Sequence, residues 1–168
     1  MNSRHNPEKR FIEAYDAYAD AMLRYCYFKI SDRHRAEELT EEAFMKAWQY
    51  LVKGEDVENM RAFLYRILNN LIIDEYRRKR TSSLDDLEAE GFELSDARAH
   101  TDIEEQVEIN RLLGIIDQLD GKYREVVILR YVDDLGVREI AEILGEAENT
   151  ISVRINRAIK QLKKLMKL

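Results

Sequence analysis

The sequence predicts an all-α protein, two small helical domains joined by a flexible acidic linker. Three observations carry this prediction. One proline and six glycines among 168 residues are too few breakers for the repeated turns of a β-sandwich or barrel. Apolar residues recur at the three-and-four spacing of an amphipathic helix over most of the chain,. Between two such regions, Thr81 to Glu108 holds ten acids against Arg98 alone. A chain of this length suits one medium domain or two small ones. The patterning favours two, over residues 1–80 and 103–168, with the linker at 81–102.

From Glu8 to Ile30 the apolar positions are Phe11, Ala14, Tyr15, Tyr18, Met22, Tyr25 and Cys26, one face of a first helix,. Ser31-Asp32 breaks that run and offers a cap to the next helix. This second helix, Arg35 to Leu51, has Ala36, Leu39, Ala43, Phe44, Ala47, Trp48 and Leu51 as its periodic residues. Lys53-Gly54-Glu55-Asp56 reads as a loop. A third helix, Glu58 to Arg80, turns Phe63, Leu64, Ile67, Leu68, Leu71 and Ile72 inward, and three helices of that length can share one core. Thr81 to His100 offers only Leu84, Leu87, Phe92 and Leu94 as apolar points, too little burial to offset the entropy of ordering it. The helical period returns at Ile103 and runs through Val107, Leu112, Ile115, Ile116 and Leu119. After a turn at Asp120-Gly121, helices over Tyr123 to Val132, Val137 to Leu144 and Asn149 to Lys167 complete the second domain.

Composition excludes several classes. The single cysteine, Cys26, rules out an intramolecular disulfide framework and a cysteine-based zinc site,. His5, His34 and His100 are too scattered for a metal motif,. There is no run of about eighteen apolar residues, and Asn6, Glu8 and Lys9 precede Phe11 where a signal peptide would be apolar,. A cytoplasmic protein without membrane insertion is expected. The carboxylates lie on helical surfaces, away from any nucleophile and base pair or Gly-rich phosphate loop, so neither catalysis nor a cofactor is expected. A formal charge of −6 would disfavour nucleic acid, but charge is distributed in blocks. Arg61 to Arg80 carries six Lys and Arg against two acids, and Glu148 to Leu168 six against one.

Val137 to Ile155 has the layout of a helix-turn-helix: a short amphipathic helix, a turn opened by Gly145, and a second helix,. Ala141 is small where the helices approach, Ile140, Leu144, Ile151 and Ile155 suit their shared core, and Gly145 can take the positive φ that ends the first helix. In this motif the second helix enters the major groove by its N-terminal half. Glu148, Asn149, Ser152, Val153 and Asn156 are then candidates for base edges, because Asn pairs with adenine, Glu accepts from cytosine and Val touches a thymine methyl. Thr150 suits a cap or phosphate contact, and Arg154, Arg157 and Lys160 suit phosphates. An ordinary antiparallel helix pair with a basic solvated face would read the same way.

The other basic block interleaves Phe63, Tyr65 and Tyr76 with Arg61, Arg66, Asn69, Asn70, Arg77 and Arg78, a mixture suited to a charged backbone with bases to stack or hydrogen-bond. Core packing of Phe63 and solvated arginines is the competing account. On the residues alone, a duplex-binding regulator and a helical adaptor for a protein partner both remain open.

The chain resembles the extracytoplasmic-function sigma factors in two blocks. Tyr25-Cys26-Tyr27, Ala36 to Trp48, Phe63 to Ile67, Asn70 and Asp74 to Arg78 resemble domain two. Leu119 to Arg130, Glu139-Ile140-Ala141 and Thr150 to Ala158 resemble domain four. The resemblance implies a bacterial initiation factor that binds core RNA polymerase at the β′ clamp and β flap and directs it to promoter DNA, with an anti-sigma factor as a further candidate partner. It implies polymerase contacts at Glu38, Glu41, Glu42 and Phe44. Arg61, Tyr65, Arg66, Asn69, Asn70, Arg77 and Arg78 would engage the opened −10 element, whose capture includes a flipped base. Asn149, Thr150, Ser152, Val153, Arg154, Asn156 and Arg157 would engage the −35 element. Ser152 stands where the family often has Lys or Arg, Asn69 stands at an often basic position, and the loop from Val52 to Asn59 is acidic, so the implied promoter preference is shifted. The acidic linker suits a basic channel in the polymerase.

Overall fold

The computed structural model describes residues 6–82, 111–112 and 114–167. The expected linker from residue 83 onward, and the helical start at Ile103 and Val107, lie outside the described residues. No strand occurs among the described residues, and the chain divides into two compact units.

The first unit is a three-helix bundle of α1 (Pro7–Ile30), α2 (Arg33–Val52) and α3 (Met60–Ser82), each packed on the other two. Sequence sets each start. Asn6 Oδ1 accepts from the Lys9 N–H at 3.2 Å, Asp32 Oδ1 from the Arg35 N–H at 3.0 Å, and Asn59 Oδ1 from the Ala62 N–H at 3.0 Å. These side chains satisfy helix-end donors that have no partner within the helix. Ser31 ends α1 in the left-handed region, φ 53°, with its N–H donating to the Tyr27 carbonyl.

Met22, Tyr25, Cys26, Leu39, Ala43, Phe44, Leu64, Tyr65, Leu68 and Ile72 form the core of this unit. Trp48, a periodic position of α2, is half-buried, its ring 5.3 Å from Phe11. Burial pushes the Cys26 thiol up to about 12, so it stays protonated and unreactive at neutral pH.

The C-terminal part of the chain has α4 (Gly121–Val127), continued by a π-helical turn over Ile128–Val132, then α5 (Val137–Leu144) and α6 (Glu148–Leu165). The expected single helix to Val132 thus widens in its last turn. There the Asp133 N–H donates to the Ile128 carbonyl at 3.0 Å, and Arg130 donates to the Leu135 carbonyl at 3.0 Å. Tyr131, within this turn, is 58% exposed. Val126, Leu129, Leu135, Ile140, Ile151 and Ala158 are buried, and α4 packs on α6. Glu139 reaches back to accept from the Gly136 N–H at 2.9 Å and so starts α5,. Gly145, at φ 66°, ends α5 and donates to the Ala141 carbonyl,.

Candidate nucleic-acid interface

The buried stripe of α6, Ile151, Ile155 and Ala158, determines what faces solvent, because side chains about two positions away point to the opposite side. Asn149, Thr150, Val153, Asn156, Arg157 and Lys160 are exposed, and Ser152 is half-buried. Asn149 to Lys160 spans about 16 Å at 1.5 Å per residue, enough to cross a major groove about 12 Å wide. The helix begins one residue earlier than expected, at Glu148, which is also exposed.

Arg154 lies differently. Its guanidinium donates to Glu146 Oε2 at 2.5 Å with the side chain only 17% exposed. In this arrangement Arg154 ties α6 to the turn that precedes it. Sequence reasoning also missed Lys122 and Tyr123. With Asn149, Thr150, Val153, Arg154 and Arg157 they line a concavity of about 390 Å³, and Lys122 Nζ lies 5.2 Å from the centre of the Tyr123 ring. A basic residue beside an aromatic one after the Asp120-Gly121 turn was the only signal available, since the spacing does not show that α4 reaches α6.

On α3 the structure separates the seven expected residues. Tyr65 is 1% exposed and Asn69 6% exposed, and the Tyr25 hydroxyl donates to Asn69 Oδ1 at 3.2 Å. Both are buried because the stripe through Leu64, Leu68 and Ile72 is wide enough to take in the adjacent positions. Arg66, Asn70, Arg77 and Arg78 are exposed and Arg61 is half-buried. Arg77 pairs with Asp74 at 3.6 Å and Arg78 with Glu75 at 2.9 Å. The exposed aromatic side chains here are Tyr76 of α3, 45% exposed, and Tyr50 of α2, 37% exposed. Phe63 lies 4.9 Å from Tyr50 of α2, with the Arg66 guanidinium 5.8 Å from the Phe63 ring. Tyr50 was not among the expected residues.

On α2, Glu38, Glu41 and Glu42 are exposed. Glu38 accepts from Arg35 at 2.5 Å and Glu42 pairs with Lys46 at 3.5 Å. Phe44 is 2% exposed, edge-on to Phe11 at 6.0 Å and tilted against Tyr15 at 4.9 Å. Its expected role as a surface contact is corrected, because Phe44 belongs to the periodic apolar set of α2 and that set faces α1. Arg35 also reaches Glu75 of α3 at 2.9 Å. Hydrogen bonding by Arg35 holds the Glu75 carboxyl below the usual carboxylate range. Among the described residues no helix is long and apolar enough to cross a membrane.

Comparison with known proteins places this geometry. Residues 14–82 match sigma-70 region 2 and residues 109–162 match sigma-70 region 4. The chain is 31% identical over 166 residues to the ECF RNA polymerase sigma factor SigW of Bacillus subtilis, covering 94% of this chain and 89% of that protein. It is 30% identical over 157 residues to SigM of the same organism, covering 91% and 93%. The sigma factor RpoE from Bartonella quintana, solved in complex with the anti-sigma factor NepR, superposes with a TM-score of 0.73 at 26% identity, covering 95% of this chain and 98% of that one.

Proposed function

This chain belongs to the ECF RNA polymerase sigma factors, and from that premise we propose which residues carry its work. As a sigma factor it binds core RNA polymerase and directs promoter-specific initiation. Residues 1–80 form the polymerase-binding and −10 module, 81–102 the linker and 103–168 the −35 module. In the −35 module, Asn149, Ser152, Val153 and Asn156 meet base edges, Thr150, Arg157 and Lys160 meet phosphates, and Arg154 braces the motif. In the −10 module, Tyr50, Phe63 and Arg66 stack opened bases while Arg61, Asn70, Arg77 and Arg78 meet the strand. Tyr65 and Asn69 shape the bundle beneath them. Glu38, Glu41 and Glu42 dock on a basic polymerase surface. RNA synthesis is carried out by the polymerase, and the chain adds no catalysis of its own. It acts in the cytoplasm, where polymerase and chromosome meet, and the RpoE–NepR complex supports an anti-sigma factor as a further partner.

The observation that carries this reading is the exposed polar face of α6, opposite the buried Ile151, Ile155 and Ala158, in a chain that also matches region 2. Run-off transcription from a randomised promoter library, with core polymerase alone and with this chain added, tests it. Defined start points that depend on the chain are expected, and their absence would refute the reading. Within that assay, Asn149→Ala or Asn156→Ala should lose about 1–3 kcal/mol of base discrimination at one upstream position and leave the −10 motif unchanged. Reversing Glu41 and Glu42 to lysine should weaken core binding about tenfold at low salt, less at high salt, with the motif unchanged. Affinity measured at two ionic strengths checks this.

A further inference from the structure

From Asn149 to Lys160 the exposed residues of α6 are polar except at one position. Val153 is 46% exposed, between Asn149 one turn earlier and Arg157 one turn later. A lone exposed apolar residue is ordinary, and a β-branched one is a poor helix former. The second observation is its setting. Val153 lies in the concavity of about 390 Å³ with the Tyr123 ring and Thr150, flanked by Lys122, Asn149 and Arg157. A lining that combines apolar surface, an amide and cations suits a ligand with a small apolar projection, a hydrogen-bonding edge and anionic flanks. Thymine in duplex DNA has all three, and in the major groove it alone among the bases presents a methyl group.

We propose that the Val153 concavity reads the C5-methyl of one thymine in the −35 element. The proposal rests on α6 being the duplex-reading helix and adds what that helix discriminates. Tyr123 and Thr150 wall the methyl site, Asn149 hydrogen-bonds the thymine O4 or an adjacent adenine, and Lys122 and Arg157 hold neighbouring phosphates. Discrimination at this base pair therefore comes from burying a methyl group as well as from hydrogen bonding.

The test uses the holoenzyme formed from core polymerase and this full chain on its selected promoter. Each −35 thymine is replaced singly by deoxyuridine, which removes the methyl and keeps the pairing and O4. One position should lose about fourfold in initiation, the ratio that burial of one methyl implies. Val153→Ala should abolish that loss, whereas Val153→Ile should keep it. Both variants should retain wild-type helicity, since the side chain is exposed. If initiation proceeds from the selected promoter with uracil tolerated at every −35 thymine, or if Val153→Ala keeps the same methyl sensitivity, the proposal is overturned while the sigma reading stands. Failure to initiate on any template would overturn the sigma reading itself.

Discussion

Phe44→Ala is expected to destabilise the three-helix unit by about 3–5 kcal/mol, the range for truncating a buried phenylalanine. The side chain is 2% exposed and lies against Phe11 and Tyr15, so removing it leaves a cavity between α1 and α2 and loses two aromatic contacts worth about 0.5–1.5 kcal/mol each. The fluorescence of Trp48 reports this unit selectively. It is the only tryptophan in the chain, and its ring lies 5.3 Å from Phe11 in the same cluster. Denaturant unfolding followed at that residue should show the midpoint falling with Phe44→Ala and far less with Phe44→Leu, which keeps most of the volume. Loss of polymerase binding in Phe44→Ala would then follow from loss of the fold. Glu41→Lys should behave in the opposite way, leaving the midpoint within about 0.5 kcal/mol while weakening binding. A Phe44→Ala variant with an unchanged midpoint and lost binding would show that the ring touches the polymerase directly.

Phe44 also shows where sequence reasoning succeeds and where it fails. Periodicity placed it on the apolar face of α2, the resemblance placed it on the surface, and burial agrees with periodicity, because the 3.6-residue repeat is itself a statement about burial. The caps at Asn6 and Asp32, the turn at Gly145 and the exposed row of α6 were legible for the same reason: each depends on residues within a turn or two. The burial of Tyr65 and Asn69 was not legible because a polar atom on a side chain does not say which way it points, and on a helix packed against two others the buried stripe is broad. Features that join distant segments were not legible. Tyr50 meets Phe63 across two helices, Lys122 and Tyr123 join α6 from α4, and Arg35 reaches Glu75 forty positions away. Arg154 with Glu146 is an intermediate case, eight residues apart across a turn. Both ends were visible, but the geometry of the turn was not.

Glu75→Gln should have the other large effect, with a pH dependence that identifies its cause. Glu75 is 4% exposed and bridges Arg35 and Arg78, each at 2.9 Å. Removing its charge leaves the Arg35 guanidinium without its interhelical partner, though Glu38 still accepts from it. Breaking a buried pair costs about 3–5 kcal/mol. Because the Arg35 side chain is 24% exposed, water recovers part of that, and roughly 2–4 kcal/mol is expected at neutral pH. Arg35 hydrogen bonding lowers the Glu75 pKa in the folded state. The stabilisation is therefore complete above the unfolded carboxylate value of about 4.3 and disappears as pH falls through the lower folded value. Arg35 is shifted upward, stays charged throughout this range and adds no pH dependence of its own. Unfolding midpoints from Trp48 fluorescence should thus differ most between wild type and Glu75→Gln at pH 7, begin to converge as pH falls below about 4, and meet only below the depressed folded value, where protonation makes the wild-type side chain as neutral as the variant's. A difference that persisted unchanged into acid would assign the loss to shape or hydrogen-bond geometry, and the ion pair would then not be what holds α2 to α3.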